Sequence, residues 1–275
     1  MRRLQRFPVM VSHLLRRLDP GSAVDSHVAH VLDRRTGSTS PGHAVAHGLG
    51  VAAAVLMLVL PGVASAQSPG DEPFAGTTKV APENPVWAKW RGVEIEINRD
   101  LKVLHDCRAA SACPAPAMRF LEIIDDARHR LGRDRIEAVN NAVNGAIGFM
   151  TDWEQWGVAD RWSAPLETFS TRFGDCEDFA IAKHVALGEA GMAADDLRLV
   201  VVQVRGQPPR DYHVLSTARD NGHWLLLDTL RQAIVDDVEA TEYTPRFVID
   251  HRGVREYMRP GNLLISDACV ERPAG

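Results

Sequence analysis

Two runs rich in apolar residues, Tyr212–Thr217 and His223–Leu230, flank Asp220-Asn221-Gly222. Asn-Gly accommodates the two left-handed backbone positions of a tight hairpin turn, so the segment predicts an antiparallel strand pair and fixes its register. With a two-residue turn, Asp220 pairs with His223, and paired numbers sum to 443 along the hairpin. Leu215 then faces Asp228, and His213 faces Leu230. Facing residues share a side of the sheet, as do residues two apart, so His213 and Asp228 project from one face as diagonal neighbours about 7 Å apart. An odd-length loop would place them on opposite faces.

Upstream, Leu197–Val204 is dense in β-branched residues and reads as a buried strand. Before it, Gly174-Asp175-Cys176-Glu177-Asp178 opens a helix with Asp175 as its N-cap, running to Gly191 and placing Cys176 on the first turn. Ile136, Val139, Val143, Ile147 and Met150 recur at helical spacing after Asp134, and a shorter helix is expected between Phe120 and Gly132. Trp153–Trp162 is turn-rich, and Pro165 argues against continuous helix before Gly174. Tyr243–Ile249 suggests one more strand, whereas Arg252–Gly275 shows no pattern. The class is α+β, with the Cys176 helix packed on an antiparallel sheet.

Leu49–Val63 is an uncharged apolar run followed by Ala64-Ser65-Ala66, the small residues a signal peptidase reads. It is short for a membrane span and Pro61 interrupts it. Residues 1–66 are therefore expected to be an export leader with a spurious N-terminal extension, 67–84 a Pro/Gly/Ser-rich linker, 85–255 one domain and 256–275 a tail. Seven Arg and three Asp leave with the leader, so 24 of the 31 basic and 33 of the 36 acidic side chains remain. That acidic balance argues against a nucleic-acid surface. Of the four cysteines, Cys107 and Cys113 bracket a short loop and are expected to pair. Cys176 and Cys269 are left unassigned, and a thiol kept free in an oxidising compartment implies a task such as catalysis.

A thiol attacks as its thiolate, which the positive end of a helix and a nearby imidazole favour. Cys176 meets the first condition, and His213 oriented by Asp228 would meet the second. Taken singly, a buried Cys is usually packing, a strand His is often unremarkable, and a strand-end Asp often caps a turn. The chain shows no Gly-rich phosphate loop, no His-Glu-x-x-His and no Gly-x-Ser-x-Gly.

Asn140 and Asn144, Trp156-Gly157, Asp160-Arg161-Trp162, Pro165-Leu166-Glu167, Gly174 to Lys183, His213-Val214-Leu215, Leu227-Asp228 and Tyr243-Thr244-Pro245 together resemble the bacterial transglutaminase-like cysteine peptidases. The resemblance runs from about Pro85 to His251. It implies a papain/transglutaminase-like fold, with Cys176 as nucleophile, His213 as general base and acid, and Asp228 as orienting carboxylate. It also implies Ca²⁺ at Asp175 and Glu177, which would offset the acids crowding the thiol; acidic capping of the helix is the plainer reading of those residues. By the same resemblance the protein is periplasmic, cleaves a large surface adhesin and is sequestered by an inner-membrane cyclic di-GMP receptor. Acyl transfer to an amine, as in a transglutaminase, and a non-catalytic partner-binding module are the competing functions. Trp153, Trp156 and Trp162 are expected either to line the cleft or donate an indole N–H towards the oxyanion, as a Trp does in transglutaminases, or to sit in the core.

Overall fold

The computed structural model describes residues 71–82, 84–109, 112–207 and 212–258. The expected leader, its cleavage site before Gln67, and Cys269 lie outside the described residues. Among those residues no helix is long and apolar enough to cross a membrane.

The strands are β1 (Thr78–Val80), β2 (Gly148–Phe149), β3 (Phe173–Gly174), β4 (Leu197–Val204), β5 (His213–Asp220), β6 (His223–Leu227), β7 (Val235–Asp236), β8 (Tyr243–Asp250) and β9 (Gly253–Tyr257). All but β2 and β3 form one antiparallel sheet of order β1-β9-β8-β4-β5-β6-β7. The hairpin keeps the counted register from Asp220↔His223 to Ser216↔Leu227. Asn221 and Gly222 take φ of 50° and 85°, the left-handed pair such a turn needs. β6 stops at Leu227, earlier than expected, so Asp228 sits where the chain leaves the strand.

The helices are α1 (Pro85–Ala109), α2 (Ala115–Arg128), α3 (Gly132–Ala146), α4 (Asp152–Trp156), α5 (Pro165–Thr171) and α6 (Cys176–Glu189). Nearly every side chain of α6 is buried from Cys176 to Leu187, the mark of a central helix rather than an amphipathic surface one. α6 packs on β4 and β5, with α2, α3 and α5 around it. β4 is covered on both sides: Leu199 and Val201 join the core under α6, and Val200 and Val202 join a smaller core on the opposite face. Such double burial explains why its sequence does not alternate apolar and polar residues.

Some expectations need correction. Pro165 begins helix α5 instead of forbidding one, because the first helical position has no intrahelical use for an N–H. α1 was not anticipated, although Val86, Trp90, Val93, Ile97 and Leu104 form its buried stripe. α3 ends at Ala146, so Ile147 and Met150 continue the apolar spacing beyond the helix. The described part of the expected linker enters the fold: β1 pairs with β9, and Glu72, 1% exposed, meets Arg198 and Arg255. Two buried guanidinium groups require such an anionic partner. The patternless stretch after Arg252 includes β9, which closes a hairpin on β8. Cys107 and Cys113 are disulfide-bonded, as their spacing suggested.

Candidate active site and metal centre

Asp175 is the N-cap of α6 and Cys176 its first residue. Asp178, one turn in, folds back so that its Oδ1 accepts from Ser163 N at 2.8 Å and its Oδ2 from Asp175 N at 3.4 Å. This side chain lies so close over Gly174 that a Cβ there would stand 2.6 Å from Oδ2. The Gly-Asp-Cys-Glu-Asp block is thus one unit in which the glycine makes room for the carboxylate that ties down the turn before the helix. Cys176 is fully buried, and its Sγ lies 3.2 Å from Glu177 Oε2.

The expectation of a free thiol is corrected here. Cys176 is disulfide-bonded, and no cysteine is free among the described residues. A thiol held in this way is masked until the bond is reduced.

His213 and Asp228 are in direct contact, Nε2 to Oδ1 at 2.7 Å, and both are buried. Asp228 Oδ1 also accepts from Leu230 N at 2.9 Å, and Oδ2 accepts from the Tyr243 hydroxyl at 2.5 Å. Burial pushes the Asp228 carboxyl up, but the adjacent imidazole and these hydrogen bonds outweigh it and hold the group well below the usual carboxylate range. Its backbone carbonyl accepts from Lys183 Nζ on α6 and Asn144 Nδ2 on α3, each at 3.0 Å. The other ring nitrogen of His213, Nδ1, has no hydrogen-bond partner among the described residues. An imidazole fixed at one nitrogen by a carboxylate and open at the other is arranged to exchange a proton with a reacting group.

Around the N-terminus of α6 the carboxylates crowd. Asp152, Asp160 and Glu177 bring oxygens within 4.8 Å of one another, as do Asp152, Asp175 and Asp178. Burial, reinforced by Asp160, raises Asp152 to about 6. Burial, reinforced by Asp152, raises Asp175 to about 7. Glu177 and Asp178 are pushed well above their usual range by burial and then by Asp175. Oδ1 of Asp152, Asp160 and Asp175 is buried without a hydrogen bond among the described residues. Lys89 pairs with Asp160, which also accepts from the Tyr212 hydroxyl at 2.5 Å. Buried carboxylate oxygens that repel one another and lack donors fit a hard divalent cation such as Ca²⁺.

Of the metal ligands anticipated, Glu177 lies in the first of these groups and Asp175 in the second, and Asp152 belongs to both. Sequence reasoning missed Asp152 and Asp160. Asp152 is 2% exposed at the start of α4, and the backbone N–H groups of Arg161 and of Asp152 itself tie the segment together through Asp152 and Asp175 carboxylates. The Asp160-Arg161-Trp162 triplet was the available signal. Among the tryptophans, Trp153 is exposed, Trp156 lies under the Arg161 guanidinium at 4.1 Å, and Trp162 lines a cleft with Lys89 and Asp100.

Comparison with known proteins gives one family match: the model of the bacterial transglutaminase-like cysteine proteinases (BTLCP) fits residues 105–250, more than half of the chain. No curated protein matches. Similar solved structures include Legionella pneumophila LapG (22% identity, 59% of this chain and 89% of that one, TM-score 0.46). Its calcium-bound form gives 23% identity over 62% and 92%, with a TM-score of 0.47. A cysteine protease described as putative from Cytophaga hutchinsonii gives 16% identity over 54% of each chain, with a TM-score of 0.30.

Proposed function

Because the chain belongs to the bacterial transglutaminase-like cysteine proteinases, and so is a cysteine peptidase, we propose that Cys176, His213 and Asp228 are its catalytic triad. The observation that carries this reading is the buried contact of His213 Nε2 with Asp228 Oδ1, which leaves Nδ1 open for a thiol. Once reduced, Cys176 gives its proton to His213 and attacks the peptide carbonyl, with the N-terminus of α6 favouring the thiolate. His213 then protonates the leaving amine. It next takes a proton from water, which hydrolyses the acyl-enzyme and restores the thiol. Asp228 keeps the imidazole in one tautomer and stabilises its cation.

The acids beside the thiol oppose its ionisation. Ca²⁺ held by Asp175 and Glu177, with Asp152 and Asp160 as added ligands, would supply the missing positive charge. Asp178 is committed to backbone N–H groups and serves as a cap. We further propose, from the apolar run ending at Ala66 and the sequence resemblance described above, an exported, periplasmic setting, a large surface adhesin as the substrate and an inner-membrane cyclic di-GMP receptor as the sequestering partner.

The test is alkylation of the reduced full chain by iodoacetamide, followed by peptide mapping. Fast labelling of Cys176 that slows at least a hundredfold in His213→Ala, on the order of a general-base contribution, supports the triad. Labelling no faster than a model thiol rejects it. Slowing by a calcium chelator bears separately on the acidic site.

A further inference from the structure

Tyr243 occupies a position that strand spacing alone would not give it. Along β8, Leu199↔Ile249 through Val201↔Phe247 follow one register, and Val202↔Pro245 through Val204↔Tyr243 follow another. Arg246 is the inserted residue of this bulge, and Pro245 beside it lacks the N–H that a regular ladder would use. Each one-residue shift moves the following side chains to the opposite face. Phe247 therefore packs in the core under α6, whereas Tyr243, four residues earlier, packs in the smaller core on the far face. There its ring lies 6.0 Å from the His213 ring and its hydroxyl meets Asp228 Oδ2.

We infer that Tyr243 is a positioning residue of the peptidase site: its hydroxyl shares the Asp228 carboxylate with His213, and its ring bounds the imidazole. The inference rests on the triad reading. Because Oδ1 is taken by His213 and Leu230, the phenol is the donor on Oδ2 and prevents the carboxylate from turning away. Burial and the neighbouring Asp228 charge keep that phenol protonated, so it remains a donor throughout the working pH range. It also draws negative charge towards Oδ2 and so limits how strongly Asp228 holds the imidazolium. The other charged groups here are Arg231 and Glu242, which pair with each other, and Lys183 on the Asp228 carbonyl.

The experiment uses the reduced full chain, with iodoacetamide alkylation of Cys176 read against pH and p-nitrophenyl acetate as the acyl-transfer probe. Tyr243→Phe keeps the ring and removes the donor. Turnover is expected to fall about tenfold, and the basic limb of the alkylation profile, where the imidazolium is lost, to move up by about half a pH unit. Replacing Tyr243 by 3,5-difluorotyrosine, a stronger donor of similar shape, is expected to move the limb down, and it decides the matter if the Phe variant does not fold. In an Asp228→Asn background, Tyr243→Phe is expected to change turnover less than about twofold, because its effect passes through the carboxylate. An unmoved limb in these variants, or an equal effect of Tyr243→Phe in both backgrounds, overturns the inference and leaves the triad standing. An Asp228→Asn single variant with full activity removes the triad and this inference together.

Discussion

Asp152 joins both carboxylate groups around the N-terminus of α6, so neutralising it tests whether the cluster is a metal site. Two negative charges within 4.8 Å of each other repel by at least about 3 kcal/mol at an effective dielectric constant of 20. Protonation within the cluster and Lys89 on Asp160 already relieve part of this, so about 2 kcal/mol is available in the metal-free protein. Asp152→Asn keeps an oxygen for Arg161 N–H and offers a donor to the neighbouring acids. The variant in chelator is therefore expected to melt about 4–8 °C above the parent. With Ca²⁺ at about a hundred times its dissociation constant, the parent gains about 2.7 kcal/mol, or about 5–10 °C. The variant should show less than half of that shift. Differential scanning calorimetry of both proteins, in chelator and in Ca²⁺, reads all four values. A variant that melts lower in chelator, or keeps the full calcium shift, refutes the reasoning.

Because Cys176 is disulfide-bonded, iodoacetamide should label it only after a thiol reductant is added, and mass mapping without reductant should find it unmodified. Gly174→Ala places a Cβ 2.6 Å from Asp178 Oδ2; it should cost about 1–3 kcal/mol in urea denaturation and slow alkylation of Cys176 as the turn before α6 shifts. Burial raises the Asp250 carboxyl, but hydrogen bonds from Arg255 and Arg252 dominate and lower it to about 2. A depressed carboxylate stabilises the fold above its ordinary value and loses that contribution as pH falls. The urea midpoint should therefore drop between about pH 4 and pH 2, and less steeply in Asp250→Asn.

What the sequence revealed was what local rules govern. Asn221-Gly222 needs left-handed backbone, so it set the hairpin and brought His213 and Asp228 to one face. Asp175 before a run of small and apolar residues marked the start of α6 with Cys176 on it. The carboxylate cluster was only half legible because its other half comes from α4 and the chain that follows it. Asp152 and Asp160 reach Glu177 through the fold of α4 and the chain after it, and no spacing rule links these positions. β1 escaped notice because it is three half-buried or exposed residues, Thr78 to Val80, with no apolar pattern of their own, and it forms by pairing with the distant β9.

Tyr243 shows where periodicity fails for a physical reason. Residues two and four apart on a regular strand share a face, so spacing alone would put Tyr243 on the same face as Phe247, in the core under α6. The inserted Arg246 reverses that assignment. Such an insertion consumes a residue without adding a rung to the ladder and forfeits regular hydrogen bonding, so it needs compensation elsewhere in the fold. The contact of the phenol with Asp228 is the compensation visible here: it supplies a buried carboxylate oxygen with a donor that a regular β8 would direct into the other core. The bulge and the His213–Asp228 pair are in this sense one arrangement, and removing the hydroxyl should alter the environment of His213 while leaving the strand pairing intact.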